Sequence, residues 1–158
     1  MKRIYEFRGR ATKLELWVYG SLVVHEGKNF IVFEDAKIQG DSLIDGLIEV
    51  TSQSIGQFTE LYDKNGKKIY AGDIVKWINN FKEKIIGWVR YTRSIAGFHL
   101  VLIKGGCVPF YNYEGGKTEE NFEWNRLEIV GNKTENPEMM KAKYWRSLKN
   151  KKKGAKDE

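Results

Sequence analysis

Residues 54–77 read SIGQFTELYDKNGKKIYAGDIVKW, and this stretch decides the fold. It holds two turn signals and two short apolar runs. The first turn is Asp63-Lys64-Asn65-Gly66, where Asn-Gly supplies the positive φ angles that tight hairpin turns need. Phe58, Leu61 and Tyr62 precede it; Ile69 and Tyr70 follow it. The second turn, Ala71-Gly72-Asp73, leads into Ile74-Val75-Lys76-Trp77, a strand by composition. The whole stretch reads as folding punctuation.

Outward from it the same grammar repeats. Toward the N-terminus, residues 2–10 form a short strand and Leu14–Val24 a longer one, with Gly20 marking a bulge or a close approach of backbones. A polar turn at His25–Asn29 and a return strand at Phe30–Phe33 make 14–34 a hairpin. Residues 35–46 are turn-rich and polar, and Leu47–Val50 is a brief strand. Toward the C-terminus, strands are expected at Lys84–Tyr91, Gly97–Ile103 and Phe122–Val130. That makes about seven to nine short strands with turn signals roughly every 8–12 residues, the pattern of an all-β barrel or sandwich. Residues 1–134 read as one β-rich domain, or as two sub-barrels with a boundary near 50–56.

Beyond 134 the character changes. Asn136-Pro137-Glu138 is a helix start, with an N-cap, Pro at the first position and an acid in the first turn. Met140, Tyr144 and Leu148 then recur at spacing four, with Trp145 beside them and Lys141, Lys143, Arg146 and Lys149 opposite. An amphipathic helix is expected over 135–150, followed by a basic disordered tail at 151–158.

Charge is concentrated in the same place. The chain carries 27 Lys and Arg against 21 Asp and Glu in 158 residues, a net of +6. Residues 141–158 hold eight basic side chains and two acidic ones, so residues 1–140 are balanced at 19 of each sign. A nucleic-acid argument from basicity therefore belongs to the end of the chain, not to its body. A single cysteine, Cys107, needs no oxidising compartment, and the N-terminal MKRIYEFRGR has no apolar run of signal-peptide type. A cytoplasmic location is expected, with no membrane span.

The motif Gln57–Trp77, the opening Phe7–Arg10 with Trp17–Val23, and the ending Gly131–Met140 together resemble the YopX family of phage and prophage proteins. Family members often have Gly where this chain has Glu60, and Glu where it has Ala71. The resemblance implies a β-rich fold of SH3-like character, a phage or prophage origin in a bacterial host, and self-association. It supplies no catalytic residues, because the family has no established biochemical activity.

The residues themselves point the same way. A hydrolytic triad needs a base held beside a nucleophile, and nothing pairs Cys107 or a serine with His25 or His99. One Cys and two scattered His do not make a zinc site. Asp63, Asn65, Gly66, Gly72 and Asp73 are read as structural turn residues. The sharper alternative, acids holding a metal or a water, is weaker because turn chemistry already explains each. No cofactor and no small-molecule substrate is expected. Trp17, Tyr19, Tyr70, Trp77, Trp88, Tyr91 and Trp124 serve a core or interface more often than a stacking platform. Arg8, Arg10, Arg90 and Arg93 could touch phosphates.

Met140, Tyr144, Trp145 and Leu148 are the candidate interaction residues. The expected function is a non-enzymatic, self-associating accessory protein, a homo-oligomer. The alternative is a nucleic-acid-binding protein that uses surface aromatics and the basic tail.

Overall fold

The computed structural model of the protein describes residues 4–39, 42–78, 82–109 and 126–145. The chain divides into two compact units: Met1–Leu61 with Lys68–Ala71, and Tyr62–Lys67 with Gly72–Glu158. The chain thus changes unit after residues 61, 67 and 71, all inside the 54–77 motif and further along than 50–56.

Both units are built on antiparallel sheets. The first has β1 (Phe7–Arg10), β2 (Trp17–His25), β3 (Lys28–Gln39), β4 (Ser42–Val50), β5 (Gly56–Tyr62) and β6 (Lys68–Tyr70), in the order β4-β3-β2-β1-β5-β6. The second has β7 (Asp73–Ile78), β8 (Lys84–Thr92), β9 (Gly97–Leu102), β10 (Cys107–Pro109) and β11 (Glu128–Asn132), in the order β10-β9-β8-β7-β11.

In the first unit, cross-strand partners share a face. Leu22 pairs with Ile31 and Ile31 with Ile48, while Gly9 pairs with Val18. Ile31 and Val50 are buried on this inner side, with Ala11 beside them. Gly20 lies between β1 and β3 at φ +156°, and a Cβ there would come within 2.1 Å of the Val32 carbonyl oxygen. The close approach of two backbones is what excludes a side chain at this point.

In the second unit, Val75, Trp77, Val89 and Leu100 are buried, and Leu127 joins them. Each such side chain contributes about 1.5–3 kcal/mol. Trp88 pairs with Ile74 and lies two residues from Ile86, so these three occupy the opposite face. That face is covered too. Met139 is buried against Ile74 and Ile86, and Met140, Tyr144 and Trp145 pack against the same cluster.

Three expectations need correction. Residues 35–39 and 42–46, expected in a polar turn region, are strand: β3 runs on to Gln39 and β4 begins at Ser42. Register shifts between Val32 and Lys37, and again before Ile38, absorb the turn-forming residues as bulges within a paired ladder. Pairing partners overrode local propensity.

The Asn65-Gly66 turn is not a two-residue turn with two positive φ angles. Only Gly66 has one, at +78°. Asp63 N–H bonds Lys67 O (2.8 Å) and Gly66 N–H bonds Asp63 O (2.9 Å), a three-residue loop closed by a left-handed glycine.

The segment after Asn136 is not one continuous helix. A 3-10 turn spans Pro137–Met140, the backbone is extended at Lys141 (φ −101°, ψ 130°), and residues 142–145 are helical. Burial of Met139 and a 2.6 Å bond from the Trp145 indole N–H to Met139 O hold the chain in this broken path. Leu148, the rest of the expected helix and the 151–158 tail lie outside the described residues, as do Phe122–Asn125 of the expected strand.

Candidate functional site

The turn residues are placed where their chemistry is used up by the backbone. Asp63 is 6% exposed. Its Oδ1 accepts from the N–H groups of Asn65 (2.8 Å) and Lys67 (2.9 Å), and its Oδ2 accepts from Ile129 N–H (3.2 Å). Burial pushes this carboxyl up, but the Lys67, Ile129 and Asn65 donors outweigh it and hold its pKa below the ordinary carboxylate value. The adjacent Lys64 N–H donates to Leu127 O (2.8 Å), and the Lys64 and Lys76 ammoniums both reach Glu128. Those two ammoniums hold the Glu128 carboxyl below its usual range. The turn is therefore sewn to β11 at the other end of the unit's sequence.

Gly72 donates to Val89 O and accepts from Lys133 N–H, both at 2.8 Å. Asp73 is fully buried at the first position of β7, in register with Asn132.

Sequence reasoning did not anticipate a charged aromatic cluster in the first unit. The Arg8 guanidinium lies between the Trp17 and Tyr70 rings, 4.8 Å from each centroid, and Arg8 is 7% exposed. Tyr70 also meets Tyr19 (5.7 Å) and Phe58 (5.6 Å). Glu6 accepts from the Tyr70 hydroxyl and from Lys68 Nζ (2.6 Å). Burial raises the Tyr70 pKa and the neighbouring Glu6 carboxylate raises it further, so the phenol stays protonated. Glu6 is raised by burial but lowered on balance by Lys68 and Tyr70. The alternation Glu6, Arg8, Trp17, Tyr19 was the available signal: residues two apart on paired strands face the same way. Arg8 is thereby spent on ring stacking, each contact contributing about 0.5–2 kcal/mol. Arg90 and Arg93 remain exposed in the second unit.

The same face of the first sheet continues outward and becomes apolar. Tyr19, Ser21 and Val23 follow one another on β2. Val23 pairs with Phe30, Ser21 with Val32, and Val32 with Leu47 on β4. Tyr19 (47%), Val23 (43%) and Leu47 (39%) are exposed, and Phe30 and Val32 are half-buried. Glu49 stands opposite Phe30 on this face and Ser21 lies between Tyr19 and Val23, so the apolar side chains of three adjacent strands are interleaved with polar ones.

Each potential catalytic group has its own setting. His25 ends β2 on the surface, within 3.8 Å of Glu26. His99 is buried on β9 opposite Arg90, and burial, then the Arg90 charge, hold it below its usual pKa and neutral. Cys107 is exposed at the start of β10. Among the described residues, no group of three or more His, Cys, Asp or Glu is placed to hold a metal ion, and no helix is long and apolar enough to cross a membrane.

Tyr70 and Trp77 are buried, and Trp77 and Trp88 lie on opposite faces of the second sheet. Trp124 lies outside the described residues. Of the interaction candidates, Met140, Tyr144 and Trp145 are packed within their own unit.

No curated protein matches the chain. The family described as YopX protein matches residues 6–141, which takes in the turn motif, both sheets and the 3-10 turn at Pro137–Met140. The chain belongs to the YopX family.

Proposed function

We propose that the chain is a prophage-encoded accessory protein of the bacterial cytoplasm, without catalytic activity, that works by self-association. The observation that carries this reading is the group of apolar side chains on one face of β2, β3 and β4, where Tyr19, Val23 and Leu47 stand exposed beside Phe30 and Val32. Exposed apolar side chains gathered on neighbouring strands, here with Glu49 and Ser21 among them, mark an interaction site more often than scattered exposed residues do. A second copy supplies the same side chains, and a two-fold axis would lay one set on the other. The SH3-like reading of the β elements belongs with this proposal: Gly72-Asp73 leads directly into β7, as the strand entries of such barrels do.

Light scattering behind size exclusion tests it, comparing the natural chain with a Val23→Lys, Leu47→Lys double variant at micromolar concentration. The natural chain is expected to be a dimer or larger, and the variant a monomer with an unchanged circular dichroism spectrum. A monomeric natural chain overturns the proposal.

A further inference from the structure

Strands β8, β9 and β10 run through a stretch without acids. From Lys84 to Pro109 there are four cations, Lys84, Arg90, Arg93 and Lys104, and no Asp or Glu. Alternation on β8 puts Lys84, Ile86, Trp88 and Arg90 on one face of the second sheet. On that face Ile86 and Trp88 pair with Lys76 and Ile74 of β7, and Arg90 pairs with His99 of β9. Ile86 is buried, Trp88 is half-buried, and Lys84 and Arg90 are exposed.

Aromatic rings lie among these cations. Trp88, Tyr144 and Trp145, all half-buried, pack against the cluster of Ile74, Ile86 and Met139. The Tyr144 ring meets Trp145 edge-on at 5.2 Å, and the Lys84 ammonium lies 4.8 Å from the Trp145 ring centroid. Six residues along β8, about 20 Å from Lys84, Arg90 stands opposite the buried His99, and Trp88 lies between the two cations. Glu128 of β11, which shares the face through its pairing with Lys76, is already held by Lys64 and Lys76. The covering segment adds Lys141 and Lys143 against Glu138, all three exposed.

We infer that this face of the second unit binds single-stranded nucleic acid without reading its sequence. Lys84 and Arg90 neutralise phosphates, and unpaired bases stack on Trp88 and the rings beside it. Rings already locked by packing lose little freedom when a base stacks on them. A duplex keeps its bases stacked on one another, so it gains only the phosphate contacts. The face shares no residue with the apolar side chains of β2, β3 and β4, so the inference does not depend on self-association.

Fluorescence anisotropy tests it on the full chain, with a labelled oligothymidylate of about 15 nucleotides and a duplex of equal length, between about 50 and 200 mM salt. The single strand is expected to bind at least about tenfold tighter. Arg90→Gln, at an exposed position, is expected to make the plot of log K against log salt shallower by about 0.7, the share of one phosphate. Trp88→Leu is expected to weaken binding about tenfold, the loss of one stacked base, and to leave that slope unchanged. Trp88→Phe, which keeps a ring, is expected to retain most of the affinity. Urea midpoints check that the variants stay folded. Absence of binding at low salt, equal affinity for the duplex, natural affinity and slope in Arg90→Gln, or natural affinity in Trp88→Leu would each overturn the proposal. So would displacement by polyglutamate as readily as by unlabelled oligothymidylate, which would assign the face to acidic polypeptides.

Discussion

Replacing Asp63 by alanine tests how the motif is held. The carboxylate accepts three backbone N–H groups, from Asn65, Lys67 and Ile129. A net bond of this kind contributes about 1 kcal/mol, and more to a charged acceptor, so Asp63→Ala should cost about 3 kcal/mol. For a chain of 158 residues that corresponds to a melting point lowered by roughly 6–12 °C. Asp63→Asn keeps one carbonyl oxygen for the turn but turns an N–H₂ group toward a donor, so it should fall between. The pH dependence has a definite sign. The folded pKa lies below the unfolded value of about 3.9, so the carboxylate's contribution is complete above that value and lost as pH falls through the folded pKa. The stability gap between the natural chain and Asp63→Ala should therefore be flat at neutral pH and close in strong acid. The gap between the Asn and Ala variants, neither of which titrates at this position, should stay flat throughout. Urea denaturation followed by tryptophan fluorescence at several pH values measures both. A cost below about 0.5 kcal/mol, or a gap indifferent to acid, would refute the reasoning.

Gly20→Ala should cost more than about 1 kcal/mol, read as a lowered urea midpoint, because the new Cβ would meet the Val32 carbonyl oxygen at 2.1 Å. Glu60→Gly should stay within about 1 kcal/mol of the natural chain by the same measurement. Glu60 sits at φ +65°, and relief of its left-handed backbone offsets the greater chain entropy of glycine and the lost 3.0 Å bond from Ile4 N–H. Trp145→Ala should cost about 2–3 kcal/mol in thermal unfolding, less than for a fully buried aromatic, since the side chain is half-buried and bonds Met139 O.

What was legible in the sequence was whatever short-range chemistry decides. The strands β2, β7, β8 and β9 follow from β-branched and aromatic runs bounded by turn residues, and the loop at Gly66 follows from Asn-Gly. The strand halves at 35–39 and 42–46 were not legible, because Asp35, Gly46 and their neighbours favour turns locally. Only the ladder between β3 and β4, bulges included, makes them strands. The C-terminal segment failed for a related reason. Spacing of four placed Met140, Tyr144 and Leu148 on one helical face, but the local periodicity does not know that Met139 will be buried under a sheet. That burial breaks the chain at Lys141.

The charged aromatic cluster shows where sequence reading stops. Arg8 looked like a phosphate contact because arginine near aromatic residues often is one. Its partners, Trp17 and Tyr70, are 9 and 62 positions away, and only the order β2-β1-β5-β6 brings them together. The same holds for Asp63. Asn65 and Lys67 explain it as a local turn residue, and that reading is correct as far as it goes. Yet its second oxygen serves Ile129, 66 residues on, and Lys64 and Lys76 meet again at Glu128. A turn satisfied only by itself would tolerate many residues at position 63. A turn that also closes β11 onto its unit needs an acceptor with two oxygens held at fixed distance from two strands. Asparagine can serve one side and not the other, which is why the two variants at this single position should separate the local role from the long-range one.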